Sequence, residues 1–272
     1  MSFRQATAVR RTGDDTFEAD VPDLWQQGRG AFGGLVFGTI LRAACEHEPD
    51  PTRRARTFAC DVAGPVQPGP AEVRVHTLRR GRSQTNLQLT LTQAGEVLAS
   101  ALCTLSAERP LAADHPVTAR SPATPPDALR DFEAVPVMPS LHDRGGPVFT
   151  QHYEYRLTGV KPFKGAAEAE NAGFIREPSA EGTLDAPGVV ALLDAYYPAI
   201  FAVVPKGGQV MSTTASFNAQ LMQIDEPIAA GAPLFFRGRT EHYSHGFDVE
   251  FRELWYRDKL VGLNQQTFVV LR

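Results

Sequence analysis

Asp194 is the residue whose surroundings most demand a chemical explanation. It interrupts Val-Val-Ala-Leu-Leu-Asp-Ala-Tyr-Tyr-Pro, an otherwise apolar stretch that reads as a buried helix with apolar turns on both sides of the acid. A buried carboxylate is costly unless it is hydrogen-bonded or paired. Burial also raises its pKa, which makes it a better base near neutral pH. The plainer reading is a cap or an ion pair at a helix end. Gln266 lies in Leu-Val-Gly-Leu-Asn-Gln-Gln-Thr-Phe-Val-Val-Leu, a strand pattern. Period-two alternation puts Asn264 and Gln266 on one face and Gln265 and Thr267 on the other. An inward amide can hold a water or a carbonyl oxygen. A polar outer face is the ordinary alternative. Thr213 and Thr214 are adjacent on another strand and point to opposite faces, so only one can reach a shared site.

Other motifs are weaker. Gly28-Arg29-Gly30-Ala31-Phe32-Gly33 fits G-x-G-x-x-G, but Asp23 to Gln27 is not the hydrophobic strand that a dinucleotide site needs in front of it. The glycines fit a tight turn into a helix, with N–H groups free to bind an anion or an oxyanion. Phe32, Gly33 and Gly34 are therefore candidates for substrate binding. Arg79, Arg80 and Arg82 surround Gly81 between two strands. Arg82 is the candidate for phosphate contact, with a solvated turn as the rival reading. His242 and His245 are three apart on a strand, so their rings diverge, and no metal site or cofactor is expected. G-x-S-x-G is absent, so no serine-hydrolase elbow is supported. Cys45, Cys60 and Cys103 form no C-x-x-C pair and no disulfide framework, which fits a reducing cytoplasm.

These side chains need elements to hold them. The balance of 27 Lys+Arg against 31 Asp+Glu argues against nucleic acid as a partner. Val189 to Val204 is the most apolar stretch, yet it contains Asp194 and Pro198 and is too short for a membrane span. Met1 to Asp15 is polar and shows no signal core. Eight of the 21 prolines crowd into Ser106 to Pro147, which marks residues 107–147 as a linker between units 1–106 and 148–272. Both flanks show one element order. Phe32 to Cys45 predicts a buried helix, followed by strands at Thr57–Val62, Glu72–Leu78, Thr85–Thr92 and Val97–Ser106. Ala94-Gly95 predicts a hairpin turn. Val189 to Val204 predicts the second helix, followed by strands at Met211–Leu221, Leu234–Thr240, Phe247–Tyr256 and Leu260–Leu271. Thr104 corresponds to Thr267 in this repeat. A helix wrapped by an antiparallel sheet, twice over, is an α+β arrangement.

The chain resembles the thioesterase-like superfamily that includes the bacterial TesB-type acyl-CoA thioesterases. Gly30-Ala31-Phe32-Gly33-Gly34-Leu35, Pro65-Val66-Gln67-Pro68-Gly69, Leu78 to Ser83 and Leu91 to Glu96 carry the resemblance in the first half. Gly173-Phe174-Ile175-Arg176 and Leu192-Leu193-Asp194-Ala195 carry it in the second. It implies a double hotdog, two helix-wrapped antiparallel sheets fused in one chain. It also implies hydrolysis of acyl-CoA, with Asp194, Thr214 and Gln266 in the family's water-holding positions. Backbone N–H groups near Gly33 and Gly34 would then meet the oxyanion. TesB-type chains carry an acidic-His pair shortly after their Thr. Here Ala215-Ser216-Phe217-Asn218 follows, which is nearer the broader superfamily. The rival function is a non-catalytic acyl-CoA or acyl-carrier binding module. A hotdog hydratase would need a His five residues after its Asp, where Ala199 stands. A homodimer is the expected assembly.

Overall fold

The computed structural model describes residues 1–110, 112 and 132–271. The rest of the proline-rich connector lies outside them. In the first half the long helix α2 (Gly33–His47) follows a short α1 (Phe3–Ala6), and every residue from Gly34 to Ala44 is buried. A helix apolar on all sides must be covered on all sides. The sheet wraps α2, and the second half's helix packs beside it.

The four expected strands are β5 (Arg54–Val62), β6 (Gly69–Arg80), β7 (Gln84–Gln93) and β8 (Glu96–Ser106). Leu87, Leu89 and Leu91 of β7 are fully buried, each contributing roughly 1.5–3 kcal/mol by leaving water. Ala94 and Gly95 both have positive φ, 52° and 83°, the conformation a two-residue hairpin demands. Alternation is too short to announce β1 (Val9–Arg11) and β2 (Thr16–Val21), which extend the sheet beyond β6. A small ribbon of β3 (Gln26–Gln27) and β4 (Gly30–Ala31) leads into α2.

The second half adds β9 (Glu154–Leu157), β10 (Glu170–Arg176), α3 (Ala186–Asp194), β11 (Met211–Leu221), β12 (Leu234–Ser244), β13 (Phe247–Tyr256) and β14 (Lys259–Leu271). All neighbouring strands are antiparallel, in the order β1-β2-β6-β7-β8-β5-β11-β14-β13-β12-β10-β9. The two half-sheets join edge to edge where β5 pairs with β11, from Ser216↔Asp61 to Gln220↔Thr57. Phe37 of α2, Phe58 of β5 and Phe217 of β11 pack beneath that seam, with the Phe37 and Phe217 rings stacked at 4.5 Å. This is the expected double hotdog.

The second helix differs from expectation. It begins earlier, with Asp185 as N-cap accepting from the Gly188 N–H at 3.0 Å and Pro187 in its first turn. It ends at Asp194, so no helical turn follows the acid. Pro198 has no N–H to continue the ladder and drives Tyr197 toward extended backbone. A separate short 3-10 turn, Ala199–Ala202, comes after the break.

Both halves carry a β-bulge at one matching place. It falls between Ala55 and Thr57 in β5 and between Thr214 and Ser216 in β11. Beside the bulges Thr57 pairs with Thr104 and Ser216 pairs with Thr267, which upholds the Thr104–Thr267 correspondence. By the same register Ala55 stands where Thr214 does, and Cys103 where Gln266 does.

Candidate active site

Gln266 joins the three expected side chains. Its Nε2 donates to Asp194 Oδ1 at 2.7 Å and to Thr214 Oγ1 at 2.8 Å. An ionised carboxylate has no hydrogen to give, so the amide nitrogen must face it. Gln266 Oε1 is buried and has no hydrogen-bond partner among the described residues. Thr214 accepts from Gln266, which leaves its own hydroxyl hydrogen to donate.

The bulge decides which threonine takes part. Phe217, Ala219 and Leu221 of β11 face the core. Unbroken alternation would carry Thr213 inward with them. The extra residue at Ala215 resets the count, because a one-residue slip swaps faces. Thr214 therefore turns inward opposite Phe268, and Thr213 is exposed. On β14 the inward pair is Asn264 and Gln266, with 1% and 0% exposure.

Asp194 sits where two helices meet. At the C-terminal end of α3 a negative charge is unfavourable, and at the N-terminal end of α2 it is favourable. No side chain of Phe32 caps α2. The Gly34 N–H donates to the Asp194 carboxylate instead. A Cβ on Gly33 would stand 2.7 Å from Asp194 Oδ2, and one on Gly34 would stand 2.9 Å from the Ala191 Cα. The glycines let the helices touch. Burial pushes the Asp194 carboxyl above the usual carboxylate range, while the Arg252 charge, the Gln266 amide and the Gly34 N–H pull it down.

Other expected contacts resolve differently. The Gly34 N–H is turned to Asp194. The Phe32 ring is fully buried and stacks on Phe149 at 3.9 Å, so it builds the core beneath the glycines. Arg82 is not brought to the cluster. Its carbonyl accepts from Arg53 beside the start of β5, whereas Thr214 lies past the pairing of Ser216 with Asp61 near the strand's other end. Eight residues of strand separate the two ends, about 25 Å. His245 lies in the β12–β13 turn at φ 51°. Among the described residues no three His, Cys, Asp or Glu side chains cluster as metal ligands. The three cysteines are free, and burial raises all their thiol pKa values, Cys45 to about 12.

The sequence reading missed the charged residues Asp248, Glu250 and Arg252, all buried on the inner face of β13. Phe247 and Phe251 alternate with them and are each 48% exposed. The strand is inside out relative to its hydrophobic pattern, and the only signal was that its charges share one period-two face.

Comparison with known proteins fixes the family. Residues 21–106 match the acyl-CoA thioesterase N-terminal domain, and residues 130–270 match the acyl-CoA thioesterase C-terminal domain. The chain belongs to the acyl-CoA thioesterase family. This thioesterase has no significant match among curated proteins. Solved structures share its fold over nearly the whole length. A hot dog fold protein of Alicyclobacillus acidocaldarius is 23% identical with a TM-score of 0.82, covering 99% of this chain and 98% of that one. The tesB protein of Mycobacterium avium subs paratuberculosis is 16% identical at TM-score 0.74, again covering 99% and 98%. The acyl-CoA thioesterase II of Mycobacterium marinum is 15% identical at 0.72, with the same coverage. No described helix of the thioesterase is long and apolar enough to cross a membrane. A cavity of about 390 Å³, lined by Phe3, Tyr153, Glu177, Asp185 and Leu192 among others, lies beside α3. It does not include Asp194, Thr214 or Gln266, and the chemistry of the side chains weighs more than its size.

Proposed function

We propose that the enzyme hydrolyses acyl-CoA thioesters by direct attack of water, with Asp194 as general base and Thr214 and Gln266 holding the water. The observation that carries this reading is the double donation of Gln266 to Asp194 Oδ1 and Thr214 Oγ1. It ties a base, a hydroxyl and an amide from α3, β11 and β14 into one unit. The water oxygen bonds to the acyl carbon and Asp194 takes its proton. The C–S bond then breaks, and the proton passes to the departing CoA sulfur. A thioester carbonyl is electrophilic enough that no protein nucleophile is needed. The raised Asp194 pKa suits a base working near neutrality. A binding module would keep the fold without any need for a buried, costly carboxylate.

Thiol release from a panel of acyl-CoAs tests this. Asp194→Asn should lower kcat by on the order of 10² to 10⁴ with substrate binding little changed. Gln266→Ala should lose activity as well, and the double variant should lose less than both losses together. Near-parent turnover in Asp194→Asn would sink the assignment. No turnover in the parent, with acyl-CoA still bound, would favour the binding module.

A further inference from the structure

Beside the cluster lies a buried ion pair that the proposed chemistry does not use. Arg252 Nε meets Glu250 Oε1 at 3.0 Å, and both side chains are fully buried. Arg252 Nη1 donates to the Leu193 carbonyl at 2.9 Å and to the Asp194 carbonyl at 3.4 Å. These are the last carbonyls of α3, which lack helical partners. Glu250 Oε2 accepts the Ala199 N–H at 2.8 Å. The pair therefore grips the chain on both sides of the break between Asp194 and Ala199. It shares the inner face with the cluster, since Glu250 pairs across the ladder with Gln266 and Arg252 with Asn264. The guanidinium lies over the rings of Phe236 and Phe268, 5.5 and 4.9 Å from their centroids.

We propose that Arg252, braced by Glu250, is a positioning residue for Asp194: it anchors the last turn of α3 through the Leu193 and Asp194 carbonyls and holds a buried positive charge at that turn. The inference rests on Asp194 being the general base. Removing a buried ion pair and keeping a well-packed core is often neutral or stabilising, so stability alone does not account for these charges. The groups that bear on Asp194 come from several elements. β13 brings Arg252 with Glu250 and Asp248 behind it. Tyr153 and Tyr155 face it from the segment around β9, neutral because burial raises both phenols. α2 brings the positive end of its dipole. Among the described residues Arg252 is the cation whose charge lowers the Asp194 pKa.

The test is kcat/KM for acyl-CoA hydrolysis against pH, in the parent and four variants. Arg252→Met should cut the rate and move the acid limb to higher pH, the direction expected when an opposite charge near a carboxylate is lost. Arg252→Lys keeps the charge and should restore the limb toward its parent position, with less of the rate. Arg252→Met leaves Glu250 buried and unpaired, so the deciding variant is Glu250→Gln with Arg252→Met. That double variant removes both charges, keeps an acceptor for Ala199, and should shift the limb in the same direction by less than Arg252→Met alone, because the Glu250 charge is lost too. A folded double variant with the acid limb at its parent pH would overturn the proposal, leaving Arg252 a purely structural clamp. Asp194→Asn separates the two ideas. Its loss of the parent's rate upholds the base, whatever Arg252 does. Retention of both rate and limb would remove the base and this inference with it.

Discussion

Gln266 commits both amide hydrogens to its neighbours, so displacing either neighbour disturbs all three side chains. Thr214→Val deletes the hydroxyl and keeps the shape. It should lower kcat roughly tenfold, about one hydrogen bond's contribution, whereas Thr213→Val on the outer face should change it by less than about twofold. Equal losses in steady-state assays of the two variants would mean that the bulge does not set the working face. The pH dependence follows from the raised Asp194 pKa. Activity should rise with pH through that value, with its acid limb above the ordinary carboxylate range. Stability should move the other way. The folded state holds the Asp194 proton more tightly than the unfolded chain, so stability falls as pH rises between the ordinary value and the raised one. The Asp248 and Glu250 carboxyls are also raised by burial and act in the same sense. Asp194→Asn removes one of these three groups. Its denaturation midpoint should therefore gain on the parent's as pH rises above the ordinary carboxylate range, and a constant difference would contradict the shift.

At the scale of elements, the contact between α2 and α3 explains why the approach to α2 is rich in glycine. Ala is a better helix former than Gly, so Gly33→Ala should leave helix content intact. Its Cβ would nevertheless stand 2.7 Å from Asp194 Oδ2 and must push the carboxylate aside. A loss of about tenfold or more in kcat/KM, equivalent to about 1.4 kcal/mol, with an unchanged far-UV spectrum is the expected result. Parent-like activity would show that the carboxylate has room to move. The sequence carried the α2 core, the eight long strands, a buried helix bearing Asp194, and the placing of Asn264 with Gln266 on one face. It did not carry three things, each for a physical reason. The end of α3 depends on Pro198, which a hydrophobic run overrides to the eye. The residue pattern left Thr213 and Thr214 open, with only the resemblance pointing to Thr214, because the choice depends on a bulge and a bulge has no residue signature in Thr-Thr-Ala-Ser. The inward charges of β13 depend on register across the sheet, since Phe247 and Phe251 on their own argue for the opposite face.

The whole molecule is held as one body by contacts that cross between the halves at three levels. β5 and β11 share a ladder, the helices touch at Gly34 and Ala191, and aromatic pairs bridge the far side. There Trp25 stacks on His152 at 4.0 Å, and Phe32 stacks on Phe149. The division of labour is uneven: the positions equivalent to Thr214 and Gln266 in the first half are Ala55 and Cys103, so that half contributes the glycine approach and the seam rather than a second cluster. A site assembled from α2 of one half and α3, β11 and β14 of the other requires the halves to stay docked, which calls for a single cooperative unit. The two tryptophans, Trp25 in the first half and Trp255 in the second, report on this separately. In Trp25→Phe and Trp255→Phe variants, the remaining fluorophore should give the same denaturation midpoint. Phe217→Ala removes a fully buried ring from beneath the seam, at a cost of about 3–5 kcal/mol. Both fluorophores should then shift together, because the lost contact belongs to neither half alone. If Trp255 reports unfolding well before Trp25, the halves melt as separate units, and the site would be lost before the first half unfolds.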